Sequence, residues 1–209
     1  MQATLSRCLV VVLTLALLLS PTVQNTPEMH RQAALIEFNW PSAEELARRA
    51  RAQATEVRFI NYLKAHWKTP EELAQTVVRT AIQQSQSTGL PVTLILAVIA
   101  KESSFRPTVE SSYGAQGLMQ VVPRFHAEKL EGRPEGALLN PEHNIEVGSW
   151  VLVEYLDKAK GDARKALRKY SGGANAYYER VMRYQAQFER VSQDDRYLEQ
   201  QTAARKRSQ

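Results

Sequence analysis

Residues 90–100 carry no charged side chain; they read Leu-Pro-Val-Thr-Leu-Ile-Leu-Ala-Val-Ile-Ala and are followed by Lys101 and Glu102. A helix that is apolar on every face has no side to turn toward water, so it must sit in the middle of a packed domain. The segment predicts a buried central helix over residues 90–102. No stretch shows sustained period-two alternation, and β-branched runs are confined to this element and an N-terminal apolar segment. The expected class is all-α, with the other helices wrapped around this one.

Start and stop signals divide the rest. Ser42-Ala43-Glu44-Glu45 reads as a Ser cap with carboxylates in the first turn, opening a helix to Trp67. Thr69-Pro70-Glu71-Glu72 repeats the signal, with Thr as cap and Pro at the first helical position. That helix presents Leu73, Val77, Ala81 and Ile82 on one face and stops at Gly89. After Pro107 a Ser-, Gly- and Tyr-rich loop runs to Gly117. A short helix over 118–122, stopped by Pro123, and another over 124–130 follow. Asn140-Pro141-Glu142 opens a helix to about Lys160. Asp162 caps one to Lys169, and a last helix runs from about Asn175 to Val191.

The N-terminus has its own logic. Arg7 precedes an apolar run over residues 8–19, and Ser20-Pro21-Thr22 follows. This is the pattern of a secretory signal. The run is short for a membrane span, which needs about 20 residues, yet no Ala-x-Ala cleavage site follows. A cleaved signal and a retained inner-membrane anchor both stay open, and either implies export to the periplasm or cell envelope. The organisation is then 1–22 signal peptide or membrane anchor, 23–69 linker and helical extension, 70–191 the domain, and 192–209 a polar, frayed tail.

Cys8, inside the apolar run, is the only cysteine, so the exported part has no disulfide, thiol nucleophile or thiolate metal site. Lys+Arg number 27 against Asp+Glu 22, a net charge of +5 that mildly favours an anionic partner. No basic patch interleaves with aromatics, which excludes a nucleic-acid partner. The four histidines, His30, His66, His126 and His143, lack metal-ligand spacing and read as surface residues. No metal or cofactor is expected.

Glu102 lies one turn beyond Val98 and Ile99. Apolar neighbours and the helix C-terminus both disfavour its charged form, which raises its pKa and suits a proton donor. The same residues also fit a solvated helix end with Glu102 paired to Arg106 or Lys101, and local sequence does not separate the two.

The following residues do. Glu102-Ser103-x-Phe105, then Ser111-x-x-Gly114-Ala115-x-Gly117-Leu118-Met119-Gln120, resembles the Slt-type lytic transglycosylases, bacterial cell-wall enzymes with a goose-lysozyme-like helical fold. The resemblance continues at Asn140-Pro141, Asn144-Ile145 and Tyr170-Ser171-Gly172-Gly173, more loosely at Tyr184, and covers about residues 70 to 190. It implies peptidoglycan glycan strands as substrate and Glu102 as the single catalytic acid. Glu102 would protonate the leaving oxygen of the MurNAc-β-1,4-GlcNAc bond, and its carboxylate would then accept the proton of the 6-hydroxyl that attacks C1, giving a 1,6-anhydro end. It implies substrate-side roles for Ser111, Gly117, Met119, Gln120, Asn144 and Tyr170. Each has a plain alternative: loop hydroxyl, turn glycine, core filler or half-buried aromatic.

Two-carboxylate glycosidases need a second Asp or Glu at a set separation. Glu110, Glu128, Glu142 and Glu146 are scattered and read as surface charges. A hydrolytic lysozyme-like muramidase and a non-catalytic wall-binding or assembly module are the competing readings. Where the family carries Tyr-Asn this chain has Tyr170-Ser171, and Ser cannot supply an amide pair. Residues ahead of the domain either contact envelope assembly machinery or span from membrane to wall.

Overall fold

The computed structural model describes residues 40–197. The apolar run at 8–19, Cys8, His30 and most of the polar tail lie outside them. The chain divides into two compact units, Met1–Leu46 and Ala47–Gln209. In the first, the described residues hold a reciprocal cap: Glu45 N–H donates to Ser42 Oγ at 3.1 Å and Ser42 N–H to Glu45 Oε2 at 3.3 Å.

The described chain is all-helical, with α1 at Ala43–Trp67, α2 at Glu71–Thr88, α3 at Val92–Glu102, α4 at Pro141–Lys158, α5 at Ala163–Tyr170 and α6 at Tyr177–Val191. Among the described residues β pairing is limited to isolated bridges, Glu110 with Gln116 and Gln116 with Val121. As expected from its composition, α3 is the axis of the core: every residue from 94 to 100 is buried. It packs most extensively on α6, and α2 packs on α4 and α3.

The helix ends follow their capping chemistry. Asn140 accepts from His143 N–H and Asp162 from Lys165 N–H, both at 3.0 Å, satisfying donors that the first turn leaves free. Gly89 ends α2 at φ 76°, a left-handed cap that costs glycine nothing. Thr69 makes no cap bond; it is buried, and Pro70 takes the cap position of α2.

Three expectations differ. Residues 118–122 form turns and a bridge, not a helix, because Leu118 and Met119 are pulled into the core and Gln120 takes φ 50°. Pro123 opens a 3₁₀ turn, Pro123–Phe125, and a second follows at Ala127–Lys129. The stretch placed ahead of the domain also enters its core. Phe59, Ile60, Tyr62 and Leu63 of α1 are buried, and Phe59 and Tyr62 meet Phe188 edge-on at 6.0 and 5.5 Å. Arg58 pairs with Asp195, and Asn61 donates to the Tyr197 carbonyl, so the first residues beyond α6 are docked.

Candidate active site

Glu102 is the last residue of α3, and the three residues after it explain why it is held there. Ser103 is buried; its N–H and its hydroxyl both donate to the Ile99 carbonyl, at 3.0 and 3.2 Å, closing the helix end. Ser104 and Phe105 then turn the chain with φ 52° and 62°, a left-handed pair costing on the order of 1 kcal/mol per residue. Burial of the Phe105 ring offsets that cost; it sits 5.1 Å from Trp67 and 6.2 Å from Phe188. The Glu-Ser-x-Phe sequence is thus a helix exit anchored on both sides of the carboxyl group.

Glu102 faces a cavity of about 480 Å³, whose wall includes Ser111, Gln120, Tyr155, Tyr170 and Tyr177. Its Oε1 accepts a hydrogen bond from the Tyr177 hydroxyl, on the first residue of α6. Burial pushes the Glu102 carboxyl above the ordinary carboxylate range; the Tyr177 bond and the Lys101 ammonium pull downward without cancelling it. Burial, and then the nearness of Glu102, holds the Tyr170 and Tyr177 phenols protonated well above their usual range. The solvated ion pair is not formed: Arg106 donates to the Ser103 carbonyl, and Lys101 lies over the Tyr177 ring. A desolvated carboxyl with a raised pKa, at a cavity wall, is suited to protonate a leaving group.

Among the described residues, Glu102 is the one carboxylate lining this cavity. Glu128 pairs with Lys129, Glu146 with Arg133, Glu142 lies on another face, and Glu110 is exposed.

The structure separates the other expected site residues into two groups. Ser111, Gln120 and Tyr170 line the cavity. Ser111 Oγ accepts from Ala115 N–H at 3.0 Å, closing its own loop. Gln120 Nε2 donates to the carbonyls of Val109 and Gly117, at 2.9 and 3.1 Å. The Tyr170 hydroxyl donates to the Met119 carbonyl at 2.9 Å, not to Glu102. Gly117, Met119 and Asn144 instead lie buried behind the wall. Asn144 accepts from Met119 N–H at 2.7 Å and donates to the carbonyls of Gln116 and Leu138, both at 2.8 Å. Gly117 sits at φ 74°, where a Cβ would overlap the Leu138 carbonyl and the Asn144 amide. With its polar atoms spent inside, Asn144 shapes the loop that carries Gln120 and has no surface for a ligand.

Three residues at or near the site carry little or no signal in the sequence. Tyr177 is the direct partner of Glu102, yet nothing in Ala176-Tyr177-Tyr178 announces a contact 75 positions away. Gly148, inside α4, leaves room for Met119, whose Cβ and sulfur lie 2.7 Å from where a Cβ would stand; a glycine in a helix interior is the one signal that pointed to it. His126 is buried and lines the cavity, contrary to its reading as a surface residue. His126, Glu128 and Glu154 could face a common ion, but Lys129 already pairs with both carboxylates. At Ser171 the hydroxyl accepts from Ala174 N–H at 3.2 Å and donates to the Arg168 carbonyl at 3.0 Å, so it closes its own turn.

Comparison with known proteins places the chain in a family. The family model described as the transglycosylase SLT domain matches residues 79–192, more than half of the chain. The chain belongs to the SLT domain family. Relatives named membrane-bound lytic murein transglycosylase C include one from Haemophilus ducreyi, 36% identical over 102 residues, which are 42% of this chain and 28% of that protein. Another, from Glaesserella parasuis, is 35% identical over 108 residues, 45% of this chain and 30% of that one. The chain's matched stretch spans under a third of these relatives' length. An X-ray structure of an inactive mutant of lytic transglycosylase Slt from Pseudomonas aeruginosa aligns with a TM-score of 0.43 at 21% identity, over 55% of this chain and 21% of that one.

Proposed function

We propose that the protein is a peptidoglycan lytic transglycosylase that cleaves the MurNAc-β-1,4-GlcNAc bond without water, with Glu102 as its single acid and base. The observation that carries the reading is the solitary, desolvated carboxyl of Glu102 on the cavity wall. Membership of the SLT family and the lytic murein transglycosylase relatives support it.

The chemistry runs in two proton transfers. The neutral Glu102 carboxyl gives its proton to the glycosidic oxygen as the C1–O bond breaks and the sugar becomes oxocarbenium-like. The carboxylate so formed accepts the proton of the C6 hydroxyl as that oxygen bonds to C1, restoring the acid and closing a 1,6-anhydro ring. Burial favours the neutral start of the cycle; the Tyr177 hydroxyl stabilises the charged middle of it. One carboxyl serves both steps, so no second carboxylate is required. Incubating the intact protein with purified sacculi and separating the products by mass is the test. Anhydromuramoyl ends support the reading; reducing muramic acid ends alone overturn it in favour of a muramidase.

Tyr177→Phe gives a second check. Loss of the hydrogen bond removes a downward influence on the Glu102 pKa, which therefore rises further. Activity needs the protonated acid, so its alkaline limb moves to higher pH while the maximal rate falls. A pH–rate profile reads the shift; an unmoved or acid-shifted limb contradicts the role given to Tyr177.

The same reading puts the protein in the cell envelope, with residues 8–19 as signal or anchor. No helix among the described residues is long and apolar enough to cross a membrane, and that run lies outside them.

A further inference from the structure

Lys101 and Lys169 line the Glu102 cavity, Arg124 packs on two residues of its wall, and each of the three lies on an aromatic ring. Lys101 Nζ is 5.3 Å from the centroid of Tyr177, and Lys169 Nζ is 5.5 Å from that of Tyr155. The Arg124 guanidinium is 4.1 Å from the Tyr113 ring and 4.9 Å from the Phe125 ring. Tyr113 and Phe125 line the cavity, are 61% and 55% exposed, and have centroids 6.1 Å apart. Other basic side chains do pair with acids: Arg58 with Asp195, Arg79 with Glu56, Lys129 with Glu128 and Glu154, Arg133 with Glu146. Among the described residues, Lys101, Arg124 and Lys169 form no ion pair.

A guanidinium held by its face keeps the N–H donors of its edge available, and those donors match a carboxylate in two-pronged fashion. The exposed rings that hold it offer flat apolar faces to a sugar. The wall of the cavity supplies lysines at Lys101 and Lys169 against the single carboxyl group of Glu102. Such a cleft has a positive field and concentrates anionic ligands.

We propose that this rim reads a carboxylate carried on the glycan, with Arg124, packed against both Tyr113 and Phe125, as the specificity-determining residue and Lys101 and Lys169 completing the positive field. The inference rests on the reading of the site as one for peptidoglycan strands. It adds that charge on the strand, not the sugar backbone alone, selects what enters. The carboxylate has two sources: the lactyl ether of a muramoyl sugar whose peptide has been removed, or the peptide stem itself.

The test is titration calorimetry on the full chain carrying Glu102→Gln, so that binding is read without turnover. Three oligosaccharides of equal length are compared: a neutral chito-oligosaccharide, a stem-free muramoyl glycan with free lactyl carboxylates, and a stem-bearing glycan. At least one acidic ligand binds on the order of tenfold tighter than the neutral one, the scale of a charge-assisted pair. Which of them does so names the source. Adding Arg124→Gln removes most of that preference and leaves the neutral ligand unchanged; Arg124→Lys restores part of it. Arg164→Gln is the control, because Arg164 also lies on a ring, 4.2 Å from Tyr178, but pairs with Glu179, and it changes neither affinity. Equal affinity for neutral and acidic ligands, absence of binding to all three, or an equal loss on both with Arg124→Gln overturns the inference. Failure of the lyase reading shows separately, in the products of the unsubstituted protein.

Discussion

Glu102→Gln is expected to lower glycan cleavage by about 10³-fold, the scale of a positioned general acid and base, while the protein still folds. Glutamine keeps an oxygen for the Tyr177 hydroxyl but has no proton to give and no charge to take one back. Product release from sacculi measures the loss; retained activity refutes the assignment of Glu102. The variant also carries a stability signature. Burial raises the folded-state pKa of Glu102 above its ordinary value of 4.5. A group of that kind contributes stability below its unfolded pKa, and the contribution is lost as pH rises through the folded pKa. The amide is neutral throughout. Glu102→Gln is therefore expected to melt above the unsubstituted protein at neutral and alkaline pH and level with it near pH 4. A melting difference that does not change with pH contradicts the buried-acid account.

The second large effect is structural. Asn144→Ala leaves the Met119 N–H and the carbonyls of Gln116 and Leu138 without their partner in the interior. Unsatisfied buried groups cost about 1–3 kcal/mol each, so a loss of about 3–5 kcal/mol is expected. In a domain of this size that lowers the melting temperature by roughly 10–15 °C. Asn144→Asp is no rescue: it keeps the acceptor for Met119 but aims a carboxylate at two carbonyls. Calorimetry decides between this role and a substrate contact, since a contact would raise KM and leave the melting temperature where it was. Gly117→Ala is expected to be similarly damaging, because the methyl group overlaps the same amide.

The Gly-Leu-Met-Gln segment shows how motif and mechanism part company. Read as a string, it invites every residue to touch the substrate. In the fold, Gly117 admits the Asn144 clamp, Leu118 and Met119 bury, and Gln120 alone reaches the cavity wall. Residues fixed by packing and residues fixed by chemistry occupy adjacent positions, and spacing cannot tell them apart. Helix starts were easier. Asn140 and Asp162 cap through bonds to backbone three residues on, a local interaction wholly contained in the local sequence. Residues 118–122 form turns although local preference favours a helix, because long-range burial of Leu118 and Met119 overrides it.

Sequence alone determined that the molecule is helical, that residues 94–100 lie at its centre and that Glu102 terminates the central helix, because an uncharged run has one stable place in water and a carboxyl at its end inherits that burial. Only the tertiary structure decided which tyrosine meets the acid, that Asn144 braces the loop, and that Lys101 and Lys169 line the cavity with Arg124 packed on two of its aromatic wall residues. Those facts depend on α3, α5, α6 and the 113–125 loop converging from distant parts of the chain. Contacts between distant residues leave no period, cap or spacing to read.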